Sequence, residues 1–385
     1  MQPASNFEEF ASVLREFMRV SLPSRQSCRQ GLDTTFNRLA VGLFRLQLSR
    51  NPVYRTLCQS RGLRPVKVTH WSEIPSLPTA AFKDVEVSCL SPEARTNIFH
   101  SSGTTEQQPS RHFHDPLSLN IYEASLWPWF EQHLIPDLNR ANDLPPLLLC
   151  LTPSSGELPH SSLGHMFATI AGNYKWQEAM FVGRLTAEAA WAVNAQAAVT
   201  ALKRATEGKR AVVILGTAFS YVHLLDHFRD LGLRFQLPPG SRAMETGGYK
   251  GRSRTLTRAE LHALITEMLG ICANNIVCEY GMTELSSQAY DRVAAGNLEP
   301  KNPPSSVRAF HFPPWARAQI ISPETGREVS EGETGLIRVF DLANVHSVLA
   351  IQTEDLGIRR GNGFELIGRA KLAEPRGCSL AYGNK

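Results

Sequence analysis

Apolar residues return at helical spacing from the start of the chain. Phe7, Phe10, Leu14 and Phe17, with Ala11 and Met18 beside them, predict an amphipathic helix over 6–20 whose stripe packs on a core. The same period runs through Phe36, Leu39, Ala40, Leu43 and Phe44 and is expected to stop at Asn51-Pro52. Three prolines between Leu63 and Pro78 read as a connecting segment, with Trp71 tucked against the body. Leu117 to Leu134 is helical again, and Pro128, between Trp127 and Trp129, is expected to kink or end it.

The centre of the chain alternates. Leu147 to Leu151 is a continuous apolar run bounded by turn residues, the pattern of a buried strand. Thr186 is placed to cap an Ala-rich helix reaching about Glu207, with Gly208 to stop it. Ala211 to Leu215 reads as a strand, Phe219 to Leu231 as a helix, and Leu233 to Leu237 as another strand. Strand, helix, strand at this spacing predicts parallel crossovers. Thr257-Arg258-Ala259-Glu260 is a capping box for a helix with Leu261, Leu264, Ile265 and Met268 on its apolar face. Ile276 to Tyr280 is a strand that delivers Gly281 to Glu284 at its C-terminal end, where ligands of open α/β sheets gather. From Ala316 onward, short β-rich runs (Gln319-Ile320-Ile321, Leu336 to Phe340, Ser347 to Ile351, Phe364 to Ile367) alternate with Gly-rich turns. The expected architecture is an α/β body over 1–315, a small β-rich lobe of the same domain over 316–367, and a hinge-like tail over 368–385.

Composition narrows the function classes. A chain of 385 residues with 42% hydrophobic content can bury a large core. Its net charge of +4 arises from 40 basic and 36 acidic residues without runs of like charge, so no nucleic-acid partner is expected. The first residues lack the basic start and apolar stretch of a secretory signal, and the longest aliphatic runs are strand-sized, so no transmembrane segment and a cytoplasmic location are expected. Seven cysteines (Cys28, Cys58, Cys89, Cys150, Cys272, Cys278 and Cys378) without a Cys-x-x-Cys pair indicate reduced thiols and no zinc site. His112 and His114, two apart in a polar stretch, read as exposed histidines rather than a metal pair.

Candidate chemistry begins at Ser101-Ser102-Gly103-Thr104-Thr105-Glu106-Gln107-Gln108-Pro109-Ser110, whose hydroxyls and backbone N–H groups suit a polyanion. It is not a Walker loop, because no Gly-Lys-Ser/Thr closes it. Two further segments follow: Glu279-Tyr280-Gly281-Met282-Thr283-Glu284 and Thr353-Glu354-Asp355-Leu356-Gly357, the latter succeeded by Ile367-Gly368-Arg369. In this order they resemble the acid-activating adenylate-forming superfamily. With Phe82-Lys83, Gly216-Thr217-Ala218-Phe219, the stretch from Glu245 to Arg252, Asp341-Leu342-Ala343-Asn344 and the ending Arg376-Gly377-Cys378-Ser379-Leu380, the chain resembles acyl-protein synthetases of the LuxE type, relatives of phenylacetate-CoA ligases. The similarity runs from about residue 78 to the C-terminus.

That resemblance implies an adenylate-forming large domain of parallel sheets flanked by helices, without the superfamily's further C-terminal domain. It implies ATP and Mg²⁺: Glu284 holding the cation, Ser101, Ser102, Gly103, Thr104, Thr105 and Thr283 on phosphate oxygens, Tyr280 over the adenine, and the Gly247-Gly248 turn on its other side. Gly281 completes the Tyr280 segment, Asp355 accepts from the ribose hydroxyls, and Arg369 contacts the same sugar. Cys378 is implied as the carrier of the acyl group, with Arg376 and Lys371 favouring its thiolate. A fatty acid would be activated as acyl-adenylate, moved to Cys378 as a thioester, and passed to an acyl-accepting reductase subunit. Alternatives are a ligase that transfers to coenzyme A and a non-catalytic scaffold subunit. One departure stands out: Glu106 occupies a position where related loops have Gly. A carboxylate about 5 Å from a phosphate charge, at an effective dielectric near 20, costs roughly 3 kcal/mol unless it points to solvent.

Overall fold

A computed structural model describes residues 4–22, 29–62, 67–101, 108–138, 144–186, 191–248, 254–294 and 308–370. Helix α1 (Phe7–Ser21) is capped by Asn6, whose side chain accepts from the Glu9 N–H, and it buries the expected apolar stripe. Helix α2 (Arg29–Arg50) ends at Asn51-Pro52, as its period predicts. Asn51 caps a further helix, α3 (Pro52–Ser60), by accepting from the Tyr54 N–H, with the proline at a first-turn position that needs no N–H. The proline-broken stretch then supplies a short strand, β1 (Leu77–Pro78), and one helical turn, α4 (Ala81–Asp84), follows it.

Strands β2 (Asn97–His100) and β3 (Arg111–His114) lead to α5 (Pro116–Leu134). This helix runs on through Pro128, held by Leu126, Trp129 and Phe130, which are all buried around the missing donor. Then come β4 (Leu147–Cys150), α6 (Ser162–Asn173), β5 (Glu178–Phe181) and a small hairpin of β6 (Gly183–Leu185) with β7 (Trp191–Val193). Asn194, not Thr186, caps the Ala-rich helix α7 (Ala195–Glu207), because the residues after Thr186 return as β7 first. Next are β8 (Val212–Thr217), α8 (Ala218–Asp230), β9 (Arg242–Thr246), α9 (Arg258–Leu269), β10 (Ile276–Tyr280) and β11 (Ala289–Tyr290). The strand expected over Leu233 to Leu237 is absent. Its Phe235 and Leu237 N–H groups instead donate to the Met268 and Leu269 carbonyls at the end of α9, which leaves no ladder to join. The strand at that point is β9, which opens on the fully buried Arg242, ion-paired to Asp137 at 2.5 Å.

These strands form a six-stranded sheet in the order β11-β10-β9-β8-β4-β5, parallel except for β11. Alternation sends Leu148, Cys150, Val213, Leu215 and Met244 into one core, and Leu147, Leu149, Val212, Ile214 and Ala243 into a second with α7, α8 and α9. The remaining strands are β12 (Ala316–Ile321), β13 (Thr334–Asp341), β14 (Ala350–Arg360) and β15 (Gly363–Arg369). They build an antiparallel sheet that β1 joins in parallel at Leu77↔Ile351 and Pro78↔Gln352. This is the mixed α/β architecture with a β-rich part that the alternation of elements predicts.

Candidate active site

The Ser/Thr loop stands on a hairpin. Strands β2 and β3 pair from Asn97↔His114 to His100↔Arg111, and above them the Ser101 N–H donates to the Ser110 carbonyl at 3.1 Å while the Ser110 N–H donates to Ser101 Oγ at 2.9 Å. Ser102, Gly103, Thr104, Thr105 and Glu106 lie outside the described residues, as does Cys378. His112 and His114 are not exposed. Both sit on β3 and are almost wholly buried, because the stretch read as a polar loop is a strand beneath α5. Burial pushes the His112 pKa down to about 4, so the ring is neutral, and Nδ1 lies 2.8 Å from the Thr283 carbonyl. A carbonyl only accepts, so Nδ1 carries the proton.

The segment at the C-terminal end of β10 meets the hairpin from the other side. Gly281 sits so close to the Glu279 carboxylate that any Cβ would collide with it. The Thr283 hydroxyl lies 3.3 Å from Ser162 Oγ and 3.5 Å from the His100 carbonyl, at the foot of the Ser101–Ser110 loop. Glu284 is buried, and burial raises its pKa, against the nearby Ser110 hydroxyl and the charges of Arg369 and Lys83. Among the described residues its carboxylate closes no ion pair, and the Ser110 hydroxyl beside it is buried. Tyr280 donates its hydroxyl to Asp355 Oδ2 at 2.9 Å, with its ring edge-on to Phe310 and Phe364. Arg369, largely exposed, reaches within 3.6 Å of Asp355 Oδ1. Burial raises the Asp355 pKa, opposed by Tyr280 and Arg369. Gly247, at φ +64, and Gly248 are exposed where β9 ends beside β10. Ser101, Gly247, Gly248, Tyr280, Gly281, Thr283, Glu284, Asp355 and Arg369 are thus gathered along the C-terminal edge of the parallel strands and the facing end of β14 and β15.

The fold holds this segment with residues whose roles the sequence leaves unstated. Asp341, fully buried, accepts from the Ser286 N–H at 2.9 Å, Ser287 Oγ at 2.7 Å and the Ala343 N–H at 2.9 Å. Asn344 donates to the Glu284 carbonyl at 3.0 Å. Behind them Gln47 of α2 donates to the Asn344 and Val345 carbonyls at 2.7 and 3.1 Å, and accepts from the Leu349 N–H at 2.9 Å. Gln47 had a legible signal: it falls on the apolar stripe of α2, three residues after Phe44.

Residues 21–385 match the family described as acyl-protein synthetase, LuxE. The chain belongs to that family. Membership in the LuxE family makes it a ligase. It is 22% identical over 366 residues to the long-chain-fatty-acid--luciferin-component ligase of Aliivibrio fischeri, covering 90% of this chain and 88% of the relative. With the ligase of the same name from Vibrio harveyi it is 23% identical over 393 residues, 96% of this chain and 93% of that one. Among solved structures, 2-hydroxyisobutyryl-CoA ligase in the postadenylation state with 2-HIB-AMP superposes with a TM-score of 0.58 at 12% identity, over 87% of this chain and 68% of its own. An open conformation of that ligase with 2-HIB-AMP and CoA gives 0.57 at 13% identity, over 86% and 74%. At that identity the likeness establishes the adenylate-forming fold. The cation that this fold implies fits the residues present: Glu284 offers a buried carboxylate that closes no ion pair among the described residues, beside the buried Ser110 hydroxyl. No helix among the described residues is long and apolar enough to cross a membrane.

Proposed function

We propose that this LuxE-family ligase activates a long-chain fatty acid with ATP and carries the acyl group on its own Cys378. The observation that carries the reading is the meeting of Glu284, Thr283 and the Ser101–Ser110 foot on one side with Tyr280, Asp355 and Arg369 on the other. The first group has the hydroxyls and carboxylate for a triphosphate, and the second has the aromatic ring and carboxylate for a nucleoside. The names of the two bacterial relatives support a fatty acid as the substrate class.

In the first step a carboxylate oxygen of the acid attacks the α-phosphorus of ATP, and the bond to pyrophosphate breaks. The products are acyl-adenylate and pyrophosphate. In the second, the Cys378 thiolate attacks the acyl carbonyl carbon and AMP leaves, giving an acyl thioester; an acyl-accepting reductase would then take the group. Thr283 and the Ser101–Thr105 hydroxyls orient the phosphates, Asp355 accepts from the ribose, and Tyr280 packs on the base. A Mg²⁺ ion on Glu284, when bound, would neutralise phosphate charge.

The test is ATP-pyrophosphate exchange with a chain-length series of fatty acids, followed by intact mass before and after hydroxylamine. Cys378→Ala should keep exchange and lose the hydroxylamine-sensitive adduct. Glu284→Ala should lose both. An adduct that persists in Cys378→Ala, or acyl-CoA formed by that variant, would overturn the thioester on Cys378, and no exchange with any acid would overturn the activation step.

A further inference from the structure

Behind the Gly247-Gly248 turn, four polar side chains are paired across β9 and β10. The register sets Cys278 opposite Glu245 and Glu279 opposite Thr246. Successive residues of a strand face opposite sides, so the two pairs lie on opposite faces of the sheet. On the α9 face, Cys278 Sγ donates to Glu245 Oε1 at 2.9 Å, and His262 Nε2 lies 3.4 Å from the same oxygen. Arg308 Nη1 is 2.6 Å from His262 Nδ1. Arg308 is in turn ion-paired through Nε to Asp291 at 2.6 Å, and Asp291 accepts from the Cys278 N–H at 2.8 Å. On the other face the Thr246 hydroxyl donates to Glu279.

Glu245, His262 and Cys278 bring three ligand atoms within 4.8 Å of one another, the spacing of a metal centre. Their protons point elsewhere. A guanidinium only donates, so His262 Nδ1 accepts from Arg308, and the ring proton sits on Nε2, aimed at Glu245. A cation on Nε2 would drive that proton to Nδ1, against the Arg308 N–H. The cluster is satisfied as a hydrogen-bond network.

We propose that Glu245, Cys278 and His262 on one face, with Thr246 and Glu279 on the other, are positioning residues that hold the Gly247-Gly248 turn at the separation from Tyr280 that a nucleotide base requires. The proposal rests on reading that turn and Tyr280 as the two walls of the base site. The residues being fixed are the last two of β9 before the turn and the two of β10 before Tyr280. Glu279 pays for this position: burial, reinforced by the neighbouring Glu245 charge and only partly offset by Thr246, pushes its pKa up to about 7. Apolar partners would pack these positions without such desolvation.

The test is KM for ATP, KM for the acid and kcat in pyrophosphate exchange, with melting temperature and zinc content, for the wild-type chain, Cys278→Val, Cys278→Ser and Thr246→Val. Loss of one buried hydrogen bond beneath the turn should raise KM for ATP about tenfold in Cys278→Val, leaving kcat and KM for the acid within about twofold. Cys278→Ser, which keeps a donor to Glu245, should restore it. Thr246→Val removes the donor on the opposite face and should act alike, which keeps the proposal testable if the valine at 278 does not fold. A lowered melting temperature with KM for ATP unmoved would reduce the network to a structural brace and overturn the proposal, and so would stoichiometric zinc in the wild type. A wild type without exchange would overturn the nucleotide reading and the clamp with it; exchange in the wild type with KM unmoved in both variants overturns the clamp alone.

Discussion

Burying a carboxylate without closing a guanidinium or ammonium on it costs stability, and Glu284 is in that position. Its folded pKa is raised above the ordinary 4.5 by burial, with Ser110, Arg369 and Lys83 only partly opposing. The native state therefore holds the proton to higher pH than the unfolded chain does. Stability falls as pH rises from about 4.5 through the raised value, and the whole deficit is present above it. Glu284→Gln removes the charge and keeps the shape. It should melt higher than the wild type at pH 8 and equally at pH 4, while losing on the order of a hundredfold or more in pyrophosphate exchange. Excess Mg²⁺ should raise the wild-type melting temperature and leave that of Glu284→Gln unmoved. A variant no more stable at pH 8 would mean that the carboxylate is already compensated. At this scale the placement, though not the role, of several residues was legible: Tyr280, Thr283, Glu284, Asp355 and Arg369 lie in short motifs that the fold brings to one edge of the sheet. The sequence was misleading for His112, because a histidine in a polar stretch carries no sign of whether it will be covered by a helix.

Elements were legible where one period rules them, and illegible where a neighbour supplies the hydrogen bonds. Helix α1 and strands β4, β8 and β10 follow from their own apolar patterns. Leu233 to Leu237 has the composition of a strand, yet its amides are taken by the end of α9. Strand β9 was hidden because a buried arginine opens it, and its contacts with Asp137 and with the Leu134 and Gly240 carbonyls make that tolerable. The junction between α2 and the loop before β14 belongs to the second kind. Gln47 alone serves two carbonyls and one N–H there, at Asn344, Val345 and Leu349. Gln47→Leu would bury all three groups unpaired, at about 1–3 kcal/mol each, so a loss of at least about 3 kcal/mol is expected in denaturant unfolding. The same loop carries Asn344 and follows directly on Asp341 at the end of β13, and these two hold Ser286, Ser287 and the Glu284 carbonyl. Exchange activity of the folded variant should therefore fall as well. A stability loss with unchanged kcat would separate the loop from the site.

Over the whole molecule, the N-terminal helices, one face of the parallel sheet and the antiparallel sheet share one of the two apolar cores. A single apolar cluster contains Leu14 of α1, Phe44 of α2, Phe130 of α5, Leu215 and Val277 of the parallel sheet, and Val339 and Ile351 of the antiparallel sheet. Polar contacts cross the same boundary. Trp315 Nε1 donates to Ser125 Oγ at 2.7 Å, Ser125 lies 2.9 Å from Ser287 Oγ, and Arg317 stacks 4.1 Å from the Phe36 ring while pairing with Asp33 at 2.5 Å. Chains well beyond about 150 residues commonly unfold in stages, at boundaries that few contacts cross. Here such a boundary would have to cut through the cluster, exposing apolar surface on both sides. Thermal unfolding should accordingly show one transition, with tryptophan fluorescence, to which Trp315 and Trp71 beside β12 contribute, coinciding with far-UV circular dichroism. Leu14→Ala, at a fully buried position of the first helix, should cost about 2–5 kcal/mol and lower both midpoints by the same amount. Midpoints that part company in that variant would mean that the antiparallel sheet keeps its fold without the N-terminal helices. Asp355 and Arg369 on that sheet would then reach Tyr280 through a contact able to open by itself, rather than through a shared core.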